Sequence, residues 1–125
     1  MHINEALYSY LSTALSNNRI YPDNLPQNPV LPAITYKCIA TLRHHEFEKD
    51  SKLIDSTIQF TVWGTSRKAA KTLSTQLRKV LQDYSGMMSS VRVSAVLLLD
   101  ESDDYDNETG QYRTDIDYKI IHDEE

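Results

Sequence analysis

The sequence predicts an α+β domain in the order α-β-β-α-β-β, with two helices packed on one face of a four-stranded, mainly antiparallel sheet. Three observations carry this expectation. Two stretches place apolar residues at helical spacing, four place them at every second position, and turn-forming residues separate the stretches. The 125 residues suit one domain, read as a single unit over 1–125. A chain of this length buries roughly two-thirds of the surface it exposes when unfolded. It therefore needs neither a disulfide nor a metal to hold its shape.

The first helix is read from Ile3, Ala6, Leu7, Tyr10, Leu11, Ala14 and Leu15, which follow the i, i+3, i+4, i+7 pattern. Asn17 and Asn18 are its stop. Residues 17–32 then form a long connection that holds all four prolines, Pro22, Pro26, Pro29 and Pro32. Proline fixes φ and disfavours helix in the preceding residue, so the arm is extended and semi-rigid. Long connections of this kind are often functional. In the first strand Ile34, Tyr36, Cys38, Ala40 and Leu42 alternate with Thr35, Lys37, Ile39 and Thr41. In the second, Ile54, Ile58, Phe60 and Val62 alternate with Asp55, Thr57, Gln59 and Thr61. The charged link Arg43 to Lys52 reads as a solvated hairpin tip.

Gly64 ends the second strand, and Thr65 or Ser66 caps the second helix. Its apolar stripe is Ala69, Ala70, Leu73, Leu77, Val80, Leu81 and Tyr84, with Lys68, Lys71, Arg78 and Lys79 off it. Gly86 falls where a glycine closes a helix. Val91, Val93, Ala95, Leu97 and Leu99 form one face of the third strand, with Val96 and Leu98 on the other. In the last strand Tyr112, Ile116, Tyr118 and Ile120 alternate with Arg113, Asp115, Asp117 and Lys119. Between these two strands runs a long acidic tip, residues 100–110. The face away from the helices carries Trp63, Ile39, Val96, Leu98 and Ile121, too apolar for a fully wet surface, which points to a partner.

Charge and motifs narrow the function. Acids outnumber bases 18 to 13, for a net charge of −5, which argues against nonspecific nucleic-acid binding. One cysteine permits no internal disulfide and suits a reducing cytosol. The start of the chain lacks the pattern of a signal peptide, and the longest apolar run, Ala95 to Leu99, is far too short to span a membrane. No GxxxxGK[ST], GxGxxG, GxSxG or HExxH occurs. No catalytic residue, cofactor site or metal site is therefore assigned. Cys38 reads as a buried structural thiol. His44-His45-Glu46 does not converge on a metal, because adjacent residues of a strand point to opposite faces. The acidic tip Asp100 to Glu108 reads as a solvated loop, a protein contact or a divalent-ion site. Arg43, Arg67, Lys68, Lys71, Arg78 and Lys79 read as wet faces rather than a basic patch.

Three ordered stretches carry a resemblance. The first is Asn18-Arg19-Ile20-Tyr21-Pro22 leading into Leu31-Pro32-Ala33-Ile34-Thr35-Tyr36. The second is Val62-Trp63-Gly64-Thr65-Ser66 with the Ala69-Ala70 helix and Leu77-Arg78-Lys79-Val80-Leu81. The third is Tyr105-Asp106-Asn107-Glu108-Thr109-Gly110-Gln111-Tyr112-Arg113, running into Asp117-Tyr118. Together they resemble the tail-completion, or tail-terminator, proteins of long-tailed bacteriophages. The charged first hairpin tip departs from that pattern.

The resemblance implies a structural protein made in the bacterial cytoplasm and placed in the virion at the tail–head junction. It implies a ring, sixfold like the tube, which caps the finished tail, meets the tail-tube and head-connector proteins, and lets DNA pass through its lumen. Alone in solution the chain is expected to be monomeric or weakly associated. Tyr21, Trp63, Asp103, Asp104, Tyr105, Asp106, Tyr112 and Arg113 are the candidate subunit or partner contacts. The alternatives are a head-closure or neck adaptor and, from another class, a small nucleic-acid-binding α+β module.

Overall fold

The structure, a computed structural model, describes residues 3–15, 19–27, 29–45 and 50–123. It is α+β with two helices, but the sheet has six strands rather than four. The chain order is α1 (Ile3–Ala14), β1 (Ile20–Pro22), β2 (Ala33–His45), β3 (Asp50–Gly64), α2 (Arg67–Leu81), β4 (Gly86–Met88), β5 (Val91–Asp106) and β6 (Gln111–Asp123). Across the sheet the order is β1-β2-β3-β6-β5-β4. All neighbours are antiparallel except β1, which runs parallel to the start of β2. The two extra strands have three residues each, too short for any periodicity to show. Both lie at a sheet edge, where Pro22 is tolerated because no ladder needs its missing N–H.

The helices form as the spacing requires. Helix α1 buries Ile3, Ala6, Leu7 and Leu11, while Ala14, one turn further on, is exposed. Helix α2 starts at Ser66, whose hydroxyl accepts a hydrogen bond from the Ala69 N–H at 3.1 Å. That satisfies one of the donors a helix start leaves unpaired. The helix buries Ala70, Leu73, Leu77 and Leu81. Its end differs from the expectation at Gly86. The left-handed residue after the helix is Asp83, at φ 61, and Gly86, at φ 135, opens β4 instead. Aspartate tolerates that region because its short polar side chain bonds locally. Gly64 answers to a different demand. A Cβ there would stand 2.8 Å from the Ala70 nitrogen, so the strand can turn into α2 this closely only without a side chain.

Among the described residues the sheet has four register shifts, one of them between Arg43 and His45; the other three each reset the side-chain alternation by one residue. These three lie between Cys38 and Ala40, between Val93 and Ala95, and between Leu98 and Asp100. Each inserts one unpaired residue and moves everything beyond it to the opposite face. Past the first, Thr41 pairs with Ser56 on the helix side, so Ala40 and Leu42 turn outward and are exposed. Past the second, Val96 rather than Ala95 enters the core beside Ile120. Leu98 likewise stands on the helix side, level with Tyr118, while Leu97 faces away. The expected two-faced pattern of the third strand is thus reversed from Val96 onward.

The core lies between the two helices and the inner rows of β3 and β6. Ile58, Phe60 and Val62 meet Ile116, Tyr118 and Ile120 there, under Leu7, Leu11, Leu73 and Leu77. Tyr10 joins the helices: its hydroxyl donates to the Val80 carbonyl at 2.7 Å, and its ring packs on Tyr84 at 4.7 Å. Cys38 is half-exposed rather than buried, its thiol 3.4 Å from the Thr41 hydroxyl. Among the described residues, no helix is long and apolar enough to cross a membrane.

Candidate functional site

The acidic segment is not a loop. Residues 100–106 continue β5 and pair through Asp106↔Gln111 with β6, leaving only 107–110 as a turn. Asp106 closes that turn: its carboxylate accepts the Glu108 N–H at 3.0 Å, and its carbonyl accepts the Gly110 N–H at 2.8 Å. The Glu108 bond also holds the Asp106 carboxyl below its usual range. Alternation along the hairpin then sends Glu101, Asp103 and Tyr105 to the helix side, and Asp100, Asp104 and Asp106 to the other.

On the helix side the hairpin meets the start of α2. Asp103 lies 2.9 Å from Lys71 and 3.6 Å from Arg67, and accepts the Thr114 hydroxyl at 2.9 Å. Glu101 faces Arg78 at 4.0 Å. Arg67 also stands 5.0 Å over the Tyr112 ring and donates to the carbonyls of Arg113 and Asp104. Tyr105 packs on Tyr112 at 4.8 Å. The basic row of α2, read as a wet face, is therefore the seat of the hairpin. The i, i+4, i+11 spacing of Arg67, Lys71 and Arg78 marks that stripe, but its acidic partners cannot be read without the shift at Leu99.

The hydrogen bond from Lys71 holds the Asp103 carboxyl below its usual range, helped by Thr114 and the nearby charges and opposed by partial burial. A carboxyl depressed in the folded state stabilises above its unfolded pKa and loses that contribution as pH falls through the folded value. Asp103→Asn should therefore be less stable than the parent by about 0.2–1 kcal/mol at pH 7. The difference should shrink below the ordinary carboxylate range. Urea denaturation at pH 7 and in strong acid measures both ends; a difference that does not change with pH would show that the charge is not what holds the hairpin.

On the helix-free side Trp63, Arg113 and Asp104 come together. Arg113 reaches Asp104 at 2.6 Å and Asp115 at 3.4 Å, and its guanidinium lies 5.8 Å from the centre of the Trp63 ring. Trp63 donates its indole N–H to the Thr35 hydroxyl at 3.1 Å, and Thr61 donates to Asp115 at 2.9 Å. With Asp23, Lys37 and Gln59, the residues Thr35, Thr61, Trp63, Arg113 and Asp115 border a polar recess of about 330 Å³. Thr35, Thr61 and Asp115 had no distinguishing sequence signal beyond their place on polar strand positions.

Tyr21 stands apart from the other predicted contacts. It lines an apolar groove of about 580 Å³ with Asn4, Glu5, Tyr8 and Tyr36, at the β1 edge. Seven of the eight predicted residues thus fall into three places: Trp63, Arg113 and Asp104 on one face, Asp103, Tyr105 and Tyr112 on the other, and Tyr21 at the far edge. Asp106 belongs to the turn. The side chains of His44-His45-Glu46 lie outside the described residues. Among the described residues, no three His, Cys, Asp or Glu side chains gather as metal ligands would. Ion pairs, a cation–π contact and stacked tyrosines can bind surfaces and brace a hairpin.

Comparison with known proteins agrees with this character. No curated protein sequence matches the chain. Among solved structures, a chain of the virion of a native gene transfer agent particle has a similar fold, with a TM-score of 0.71 at 12% identity. The alignment covers 97% of this chain and 91% of that one. The family model described as tail completion protein gp17 matches residues 5–123. The chain therefore belongs to the tail completion protein gp17 family, structural proteins of the bacteriophage tail within the virion.

Proposed function

We propose that this chain caps the completed tail tube as a ring of six copies, ends tube growth and presents the surface to which the head connector joins. The observation that carries this reading is the family match over residues 5–123. Its partners are then itself, the tail-tube protein and the head-connector protein, and its role is structural rather than catalytic. Alone in solution it is a monomer or a weak oligomer, because the ring is templated by the tube.

The helix-free face supports the reading. It bears Asp55, Asp100, Asp104, Asp115 and Asp117 against Lys37, Lys119 and Arg113. A lumen lined by an acidic face lets DNA pass without sticking, since like charges repel. A nucleic-acid-binding module would need a basic, aromatic sheet face, which this is not. The clusters around Trp63 and around Tyr105 then serve as contact surfaces toward neighbours in the particle.

The test is a particle-producing strain from which this chain is deleted. Electron microscopy should show tails of abnormal length and tails without heads, restored when the chain is supplied on a plasmid. In a lysate that contains the chain but lacks the head connector, the chain should purify with tails. Normal joined particles without the chain would overturn the proposal. Purification with heads rather than tails would make it a neck adaptor instead.

A further inference from the structure

Two features on either side of α1 have matching chemistry. The first is a hook on the β4–β5 hairpin. Met87 pairs directly with Arg92, and Met88 with Val91. Alternation sends Met88 and Val91 into the core and leaves Met87, 59% exposed, beside the exposed Arg92 on the solvent side. The hook is braced. Its turn is only Ser89-Ser90, Met88 is anchored in the core, and the Tyr84 hydroxyl donates to the Met87 carbonyl at 2.8 Å. Among the described residues Arg92 makes no ion pair. Lys119, which also stands opposite an exposed apolar residue, Leu97, is already held by Asp55 at 3.2 Å.

The second feature is the groove of about 580 Å³ at the β1 edge, bordered by Glu5, Tyr8, Tyr21, Pro22 and Tyr36. The Tyr36 hydroxyl donates to the Asn4 carbonyl at 3.1 Å, which fixes α1 against the sheet there. Tyr8 is 45% exposed. Glu5 is exposed and, among the described residues, makes no ion pair. Tyrosine rings attract both a thioether and a guanidinium, and a carboxylate beside them completes a charge-assisted pair with arginine. Methionine and arginine side by side are what such a groove takes.

Hook and groove of one copy do not face each other. β1 and β4 end the sheet order, and α1 touches both. Tyr8 borders the groove, whereas Tyr10, about 200° further round the helix, packs on Tyr84, the residue that holds the hook. From this geometry we infer that Met87 and Arg92 of one copy enter the Tyr8–Tyr21 groove of a second copy, with Arg92 against Glu5. The contact joins two different surfaces, so each copy gives one hook and receives another, and the chain of contacts can close into a ring. The inference rests on the ring reading above and names the surfaces that build the ring.

The test places Tyr8→Cys and Met87→Cys together in a chain whose native thiol is removed by Cys38→Ser, and isolates tails from particle-producing cells. A short bis-maleimide should link the chain into multimers of up to six copies on denaturing gels. Either cysteine alone should give none, because a hook meets a groove and never another hook. Capped tails that carry both cysteines and do not cross-link would overturn the contact while leaving the cap itself intact. A product that joins the groove cysteine to the tail-tube protein, identified by mass spectrometry, would also overturn it. Tails that lack even the parent chain would overturn the ring reading as well.

A charge swap decides the matter should the double-cysteine chain fail to fold. Glu5→Lys and Arg92→Glu should each lower the amount of chain recovered on tails by about tenfold or more, and the double variant should restore it. No loss in the single variants, or no restoration in the double, with all three chains folded by circular dichroism, would refute the pairing.

Discussion

Phe60→Ala is expected to lower stability by about 3–5 kcal/mol. The ring is fully buried at the centre of β3, with Tyr36 5.9 Å away on one side and Tyr118 5.7 Å away at 83° on the other. Truncation removes both aromatic contacts and leaves a cavity that strands on either side cannot close, because each is held in register by its own neighbours. The surrounding tyrosines cannot fill it with solvent-loving ends. Burial already pushes the Tyr36 and Tyr118 hydroxyls up to about 12. A domain whose total stability is about 5–15 kcal/mol would lose a large share of it. Urea denaturation at 25 °C, followed by circular dichroism, measures the loss. A value below about 1 kcal/mol would mean that Phe60 is not central to the core.

Leu77→Ala tests the other half of the core and is expected to cost about 2–5 kcal/mol. Leu77 is fully buried on α2, where the helix lies over β3 and β6. Its neighbours one turn away, Leu73 and Leu81, are buried too, so the whole stripe shares one surface. The helix cannot settle into the gap, since its first turn is tied to the hairpin by Arg67 and Lys71. The same denaturation experiment applies. A loss under about 0.5 kcal/mol would show that α2 turns a different face to the sheet.

The candidate contacts were legible to unequal degrees. Trp63 and Arg113 are flagged by type and by their polar-face positions, and the structure does bring them together with Asp104. Asp103 and Tyr105 are equally visible as residues, but their places are not. An acidic run next to a turn reads as solvated chain, because nothing local shows that Lys71 and Arg67 wait opposite. Those partners lie 32 and 36 positions away from Asp103 in the numbering. Tyr21 and Tyr105 share a residue type but not a place; the sheet order puts β1 and β5 near opposite edges.

By itself the sequence determined the α+β class, both helices, the four long strands and the tail-completion family. Each of these rests on repeated local signals: apolar spacing over a dozen residues, a capping serine, and ordered motifs along nearly the whole chain. Tertiary structure alone decided three things. It added β1 and β4, whose three residues carry no period and pair only because a neighbouring strand edge is there. It set the unpaired residues near Ile39, Ser94 and Leu99, which turn Val96 inward and Leu42 outward. It also seated the acidic hairpin on the basic row of α2, with Lys71 2.9 Å from Asp103 and Arg67 over the Tyr112 ring. A strand's alternation is local, but which face counts as inside is set by the register of the strand beside it, and one extra residue reverses it.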